Sequence, residues 1–290
     1  MIAVLPAILI ELALYVAAVL EGPRGWLEKL PPVLGALLLT AGGVLPLVVY
    51  TAPLGLLHLK PVLMLAGLAA LVSFWFLISG RSEWSMLALL VVMAVVLLAP
   101  VLPGFYPRPA SNLKIEFLGP VMWYRVGIVS FLVFGRVPGT GVGFLPEAGE
   151  WVTGLKWFVA FIPVAVAANF WIGFAHLKTL SQPPLWMAGY TVATFFGILW
   201  VVALREEFFF RGVLQPLLVK RWGEWAGIGG ASALFGFTHL WFGKFPNWRF
   251  AILAALAGVF YGLAFREGRG VRAAMVTHAL VVTGWRMFFA

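Results

Sequence analysis

The sequence has no cysteine. Disulfides, thiolate metal sites and a cysteine nucleophile are therefore excluded. Charge is scarce too: 11% of the 290 residues are charged, against about 25% in a soluble domain. Histidine occurs four times, at His58, His176, His239 and His278. The sequence holds no HExxH helix and no GxSxG turn, so the usual zinc-protease and serine-hydrolase signatures are absent. There is also no basic run or tail. The net charge of +9 therefore points to membrane orientation and anionic headgroups, and nucleic acid is not an expected partner. The first residues lack a basic stretch ahead of their apolar run, which reads as a first span and not a cleaved signal.

What the chain has in abundance is apolar length. Hydrophobic residues make up 62% of it, well above the about 45–50% of a soluble domain. The expected fold class is all-α, a polytopic transmembrane helical bundle. A span needs about 20 mostly apolar residues. Candidates lie at 2–20, 32–57, 61–79, 86–103, 120–134, 155–175, 184–203, 223–242, 248–265 and 271–289, which gives eight to ten spans. The weakest is 120–134, short and carrying Arg125; Glu11 is a lone carboxylate inside the first. The chain divides into anchoring spans at 1–103, a connecting span and loop region at 104–154, and a chemical core at 155–290. Apportioning Lys and Arg to alternating sides puts the larger share on the side of the 204–222 connection, which favours a cytoplasmic position for it.

One stretch concentrates the scarce charge. In "LREEFFFR" (204–211), Arg205, Glu206, Glu207 and Arg211 follow an apolar run and surround three phenylalanines. On a helix, Glu207 and Arg211 share a face in the favourable Glu-to-Arg order. Arg205 can snorkel to the interface. Glu206 has Phe210 where a fourth-neighbour cation would stand, so it must find another partner. His239, in "ASALFGFTHLWF", and His278, in "VRAAMVTHALVVTGW", lie in apolar surroundings, whereas His58 and His176 sit at span ends and read as interfacial. Ionisable groups inside a membrane tend to face the bundle interior and one another. A carboxylate and two histidines can supply a general base and polar donors around a water, or ligands for a divalent metal. Gly258 and Gly262 form a GxxxG pair suited to close helix approach, and Phe208–Phe210 could wall a site off from lipid.

These residues resemble the CAAX protease and bacteriocin-processing (CPBP) family of glutamate-type intramembrane proteases. "EEFFFRGVLQPLL" is similar to its EExxxR motif, "FGFTH" (235–239) to its FxxxH motif, and "GVFYGLAFREGRGVRAAMVTHAL" to its third, histidine-ending region. The resemblance covers about residues 155–290 and leaves the first hundred unexplained. It implies an intramembrane endopeptidase that hydrolyses a peptide bond of a membrane-anchored protein or peptide. Glu206 and His239 would activate water, His278 would stabilise the oxyanion, and Glu207 and Arg211 would be structural and orienting. It implies no cofactor, the lipid bilayer as surroundings, and a bacterial-type inner membrane.

One position departs from the family pattern. The asparagine expected four residues after the last histidine is Val282, which cannot donate a hydrogen bond; losing one oxyanion donor typically costs about 100- to 1000-fold in rate. Thr283, Trp285, Asn169 and Asn247 are the nearby polar candidates. Three alternatives use the same residues differently: a zinc site of Glu206, His239 and His278, a catalytically silent scaffold of the same fold, and a proton-coupled transporter. No internal symmetry supports the last.

Overall fold

The computed structural model describes residues 4–99, 101–107, 115–179 and 182–289. The all-α class is as expected: among the described residues there is no sheet, only a single bridge between Leu177 and Phe289. The chain divides into two compact units, Met1–Pro138 and Gly139–Ala290. The boundary expected at 104–119 falls partly on residues 108–114, which lie outside the described residues.

The first unit contains α1 (Val4–Val19), α2 (Glu21–Glu28), α3 (Pro32–Thr51), α4 (Leu59–Ser79), α5 (Glu83–Leu98) and α6 (Leu118–Val129). α6 runs on into a wider π-helical turn, Ser130–Phe134. The two charges that looked out of place inside apolar segments meet here. Arg125 on α6 donates from Nε to Glu11 Oε1 at 2.8 Å and from Nη2 to Glu11 Oε2 at 2.9 Å. Nη2 also reaches the Gly42 carbonyl at 2.9 Å. Glu11 is 0% exposed and Arg125 3%. A charge buried this deeply is tolerated only when paired and hydrogen-bonded, so the weak segment 120–134 and the anomalous Glu11 answer each other.

The second unit contains α7 (Ala148–Ile172), α8 (Pro184–Trp222), α9 (Glu224–Thr238), α10 (Trp248–Gly268) and α11 (Val271–Phe288). α7 begins with a capping box: Glu147 and Glu150 satisfy each other's backbone ends. α10 packs against α7, α9 and α11, and α11 against α7. Small residues allow the close crossings. A Cβ on Gly154 would lie 2.5 Å from Val276, and the Thr277 hydroxyl donates to the Gly154 carbonyl at 3.0 Å. The segment before α7 ties down the neighbouring helices: Trp200 donates to the Phe144 carbonyl at 2.9 Å, Val271 N–H to the Thr140 carbonyl at 2.8 Å, and Arg272 pairs with Glu147 and Glu150.

Among the described residues, five helices are long and apolar enough to cross a membrane: Pro32–Leu54, Leu59–Ser79, Ala148–Ile172, Pro184–Trp222 and Trp248–Gly268. The bent pair α1 and α2 makes a sixth if it is one span. Of the other expected spans, 86–103 and 120–134 fall on the shorter apolar helices α5 and α6, and 223–242 and 271–289 fall on α9 and α11, which are not among the five. Phe170, Trp171 and Leu185 are 86–90% exposed, an apolar surface suited to lipid. The protein is a multi-pass integral membrane protein.

Candidate active site

α8 is one continuous helix, so the charge cluster lies within it and not on a loop. Its local geometry is unusual. A single α-helical turn, Leu204–Glu207, is flanked by two π-helical stretches, Ile198–Ala203 and Phe208–Leu214. Such wide turns recur at functional sites, because they re-aim side chains without breaking the helix. Glu207, Arg211 and Gln215, spaced four apart, all point inward and are 0–2% exposed.

The Arg211 guanidinium holds this buried row. Nη1 lies 3.3 Å from Glu207 Oε1 and 3.2 Å from Oε2. Nη2 donates to the Gly258 carbonyl at 3.0 Å, and one turn further on Gln215 Nε2 donates to the Gly262 carbonyl at 3.2 Å. The GxxxG pair on α10 is thus the acceptor strip for the polar row of α8. A Cβ on Gly258 would sit 2.9 Å from Arg211 Nη2, and one on Gly262 would sit 2.7 Å from Gln215 Oε1. Aromatic faces surround the cation: Phe235 at 4.5 Å and Tyr261 at 5.2 Å from the guanidinium carbon.

His278, on α11, closes the network. Its Nδ1 is 2.6 Å from Glu207 Oε1, and its Nε2 is 3.9 Å from Glu206 Oε2. The carboxylate accepts the Nδ1 proton, which fixes the tautomer and leaves Nε2 turned toward Glu206. Tyr261 stacks on the imidazole with centroids 4.6 Å apart and planes within 10°. Glu206 is more open than Glu207, with a side chain 19% exposed. Among the described residues its Oε2 has no hydrogen-bond partner, and neither does Gln215 Oε1.

His239 ends α9 and is half-buried. Its Nδ1 is 2.8 Å from the Phe235 carbonyl. A carbonyl only accepts, so Nδ1 carries a proton and Nε2 is left for another partner. The structure brings Glu206, Glu207, Arg211 and His278 together. It leaves His239 one ring away, with Phe235 packed against both histidines at 4.6 Å from His239 and 5.9 Å from His278. Phe250, 5.2 Å from the His239 ring, continues an aromatic wall to Phe174 and Trp285.

The phenylalanine run faces mostly inward. Phe208 and Phe209 are buried, and Phe210 meets Phe235 edge-on at 5.1 Å. Both asparagines weighed as replacements for the missing donor are occupied. Asn169 exchanges two hydrogen bonds with Ala175, and Asn247 caps α10 through Phe250 N–H while donating to the Phe242 carbonyl. Sequence reasoning missed Tyr261 and Gln215. Gln215 was legible as the next member of the fourfold spacing after Glu207 and Arg211. Tyr261 was not, because its role depends on how α10 lies against α11. Among the described residues, no group of three or more His, Asp or Glu side chains is placed to hold a metal ion.

A family model described as "Rce1-like: type II CAAX prenyl endopeptidase Rce1-like" matches residues 188–283. That stretch contains Glu206, Glu207, Arg211, His239 and His278, the residues that carried the resemblance in the sequence. Everything before residue 188 lies outside the match. Neither a curated protein nor a solved structure matches the chain.

Proposed function

We propose that the protein is a glutamate-type intramembrane endopeptidase acting on a membrane-anchored protein or peptide. The observation that carries this reading is the 3.9 Å gap between Glu206 Oε2 and His278 Nε2, inside the family-matched stretch and backed by Glu207 and Arg211. That gap is too long for a direct hydrogen bond. A single water placed about 2.8 Å from each atom spans it.

Each residue then has one task. Glu206 accepts a proton from the water as its oxygen attacks the scissile carbonyl carbon, and the carbonyl π electrons move onto oxygen. His239 helps orient that water through Nε2. His278, oriented through Nδ1 by Glu207, donates from a protonated Nε2 to the developing oxyanion. When the intermediate collapses, Glu206 returns the proton to the departing amine nitrogen, so protons balance and both fragments leave neutral at the new amine and acid before they ionise. Arg211 holds Glu207 in place. The His278 ring supplies anion stabilisation that Val282 cannot.

The zinc version of the site competes less well, because among the described residues no three of the His and Glu side chains are placed to share an ion. The test is cleavage of a farnesylated CAAX reporter peptide by the full chain in phospholipid vesicles, with and without a strong chelator. The expected result is cleavage unaffected by the chelator, with His278→Gln lowering kcat by about 100- to 1000-fold. Chelator-abolished activity that zinc restores would replace this reading with the metal one. A folded protein that cleaves nothing would favour the scaffold.

A further inference from the structure

The first unit, outside the family match, has its own cavity of about 450 Å³. It opens where the α2–α3 turn, the end of α4 and the turn after α6 meet. Leu27, Phe76, Leu77 and Phe134 form its apolar walls, and Arg81, Arg136 and Glu28 stand at its rim. Arg81 Nε donates to the Phe134 carbonyl at 2.7 Å, which fixes the guanidinium beside the cavity. Arg136 is held at φ 51°, a left-handed conformation that side chains other than glycine adopt at a cost. Glu28 has Arg24 one helical turn before it, so the rim carboxylate has a cation of its own to face.

The level of this cavity is set by its neighbours. The candidate spans α3 and α4 begin at Pro32 and end at Ser79, beside the cavity. Trp26 and Trp84, on the flanking helices, are 58% and 67% exposed. Exposed tryptophans at span ends mark the headgroup region of a bilayer. The cavity therefore joins greasy walls to two arginines at the depth where phosphate groups lie.

We propose that this cavity binds one anionic phospholipid, with its phosphate on Arg81 and Arg136 and the start of an acyl chain against Phe76, Leu77 and Phe134. Arginine suits the phosphate because its planar fork donates two hydrogen bonds at once. Basic pockets between transmembrane helices are known lipid headgroup sites in general. The site is independent of the protease reading, since none of its residues belongs to the proposed catalytic set.

The test is native mass spectrometry of the full chain in a mild detergent, titrated with phosphatidylglycerol, phosphatidylcholine or inorganic phosphate. The expected result is one tightly retained phosphatidylglycerol, with phosphatidylcholine about tenfold or more weaker. R81Q/R136Q should weaken phosphatidylglycerol by about 10- to 100-fold. Leu77→Trp, which fills the apolar part and keeps both charges, should weaken it as well. Reporter cleavage in phosphatidylcholine vesicles should be unchanged in both variants. Equal retention of the two lipids, retention unaffected by R81Q/R136Q, or arginine-dependent binding of inorganic phosphate that Leu77→Trp leaves intact would each overturn the proposal; the last would make this a free-anion site.

Discussion

Glu206 and Glu207 are neighbours in sequence and opposites in environment. Glu207 is fully buried and bound on two sides, by Arg211 and by His278. Glu206 keeps an oxygen without a hydrogen-bond partner among the described residues and faces His278 Nε2 across 3.9 Å. The two should therefore fail differently. Glu207→Gln leaves Arg211 as a buried cation short of its counter-charge, which costs about 3–5 kcal/mol, so its thermal unfolding midpoint in detergent should fall by many degrees. Glu206→Gln removes no hydrogen-bonded partner of its Oε2 and should leave stability within about 1 kcal/mol of the parent. The reverse ranking would exchange their roles. This contrast was legible in the sequence, because the fourfold spacing gives Glu207 a cation and gives Glu206 a phenylalanine. The partner of Glu207 on α11 was not: the resemblance implied an oxyanion role for His278, and its hydrogen bond to Glu207 is a long-range contact that no local spacing encodes. One further compositional signal was available. All eleven acidic residues are glutamates, so an aspartate pair cannot be the catalytic group of this chain.

At the scale of elements, the site depends on how closely α10 approaches α8. Gly258 and Gly262 offer bare carbonyls to Arg211 and Gln215, and any side chain at 258 would occupy the space of the guanidinium. Gly258→Ala should therefore displace Arg211, destabilise the second unit by about 1–3 kcal/mol, and lower kcat in the reporter assay through the loosened Glu207. A variant with parental stability and kcat would show that the row on α8 does not position the site. The GxxxG spacing gave the close approach in advance but could not say what lies beneath it, since that depends on the π-helical turns that aim Arg211 inward. The first unit carries an analogous device. Arg125→Met alone should strand Glu11 and cost about 3–5 kcal/mol, while Glu11→Gln with Arg125→Met should recover much of it. A double variant as unstable as the single one, measured by thermal unfolding in detergent, would contradict the pairing. From sequence each charge looked like an intrusion into its own span, because pairing across more than a hundred residues is invisible to hydropathy.

For the whole molecule, composition was enough to fix a membrane-spanning helical protein, because burying so many apolar residues at this charge density in water is not feasible. It was less informative on the number of crossings. Hydropathy registers apolar runs, and several of these fold as helices too short to span by themselves or as parts of the long α8. The two units also differ in what supports them: the match to a CAAX prenyl endopeptidase model lies wholly in the second, while the first is understood only through its packing, its buried ion pair and its cavity. The central claim is that Glu206 and His278 together hold and activate a water. Its most direct test is single-turnover cleavage of the farnesylated reporter by the parent and by Glu206→Gln, both reconstituted in vesicles and both shown folded by their unfolding midpoints. The account predicts a loss of at least about 100-fold for Glu206→Gln. A folded Glu206→Gln that cleaves at the parent rate would contradict it.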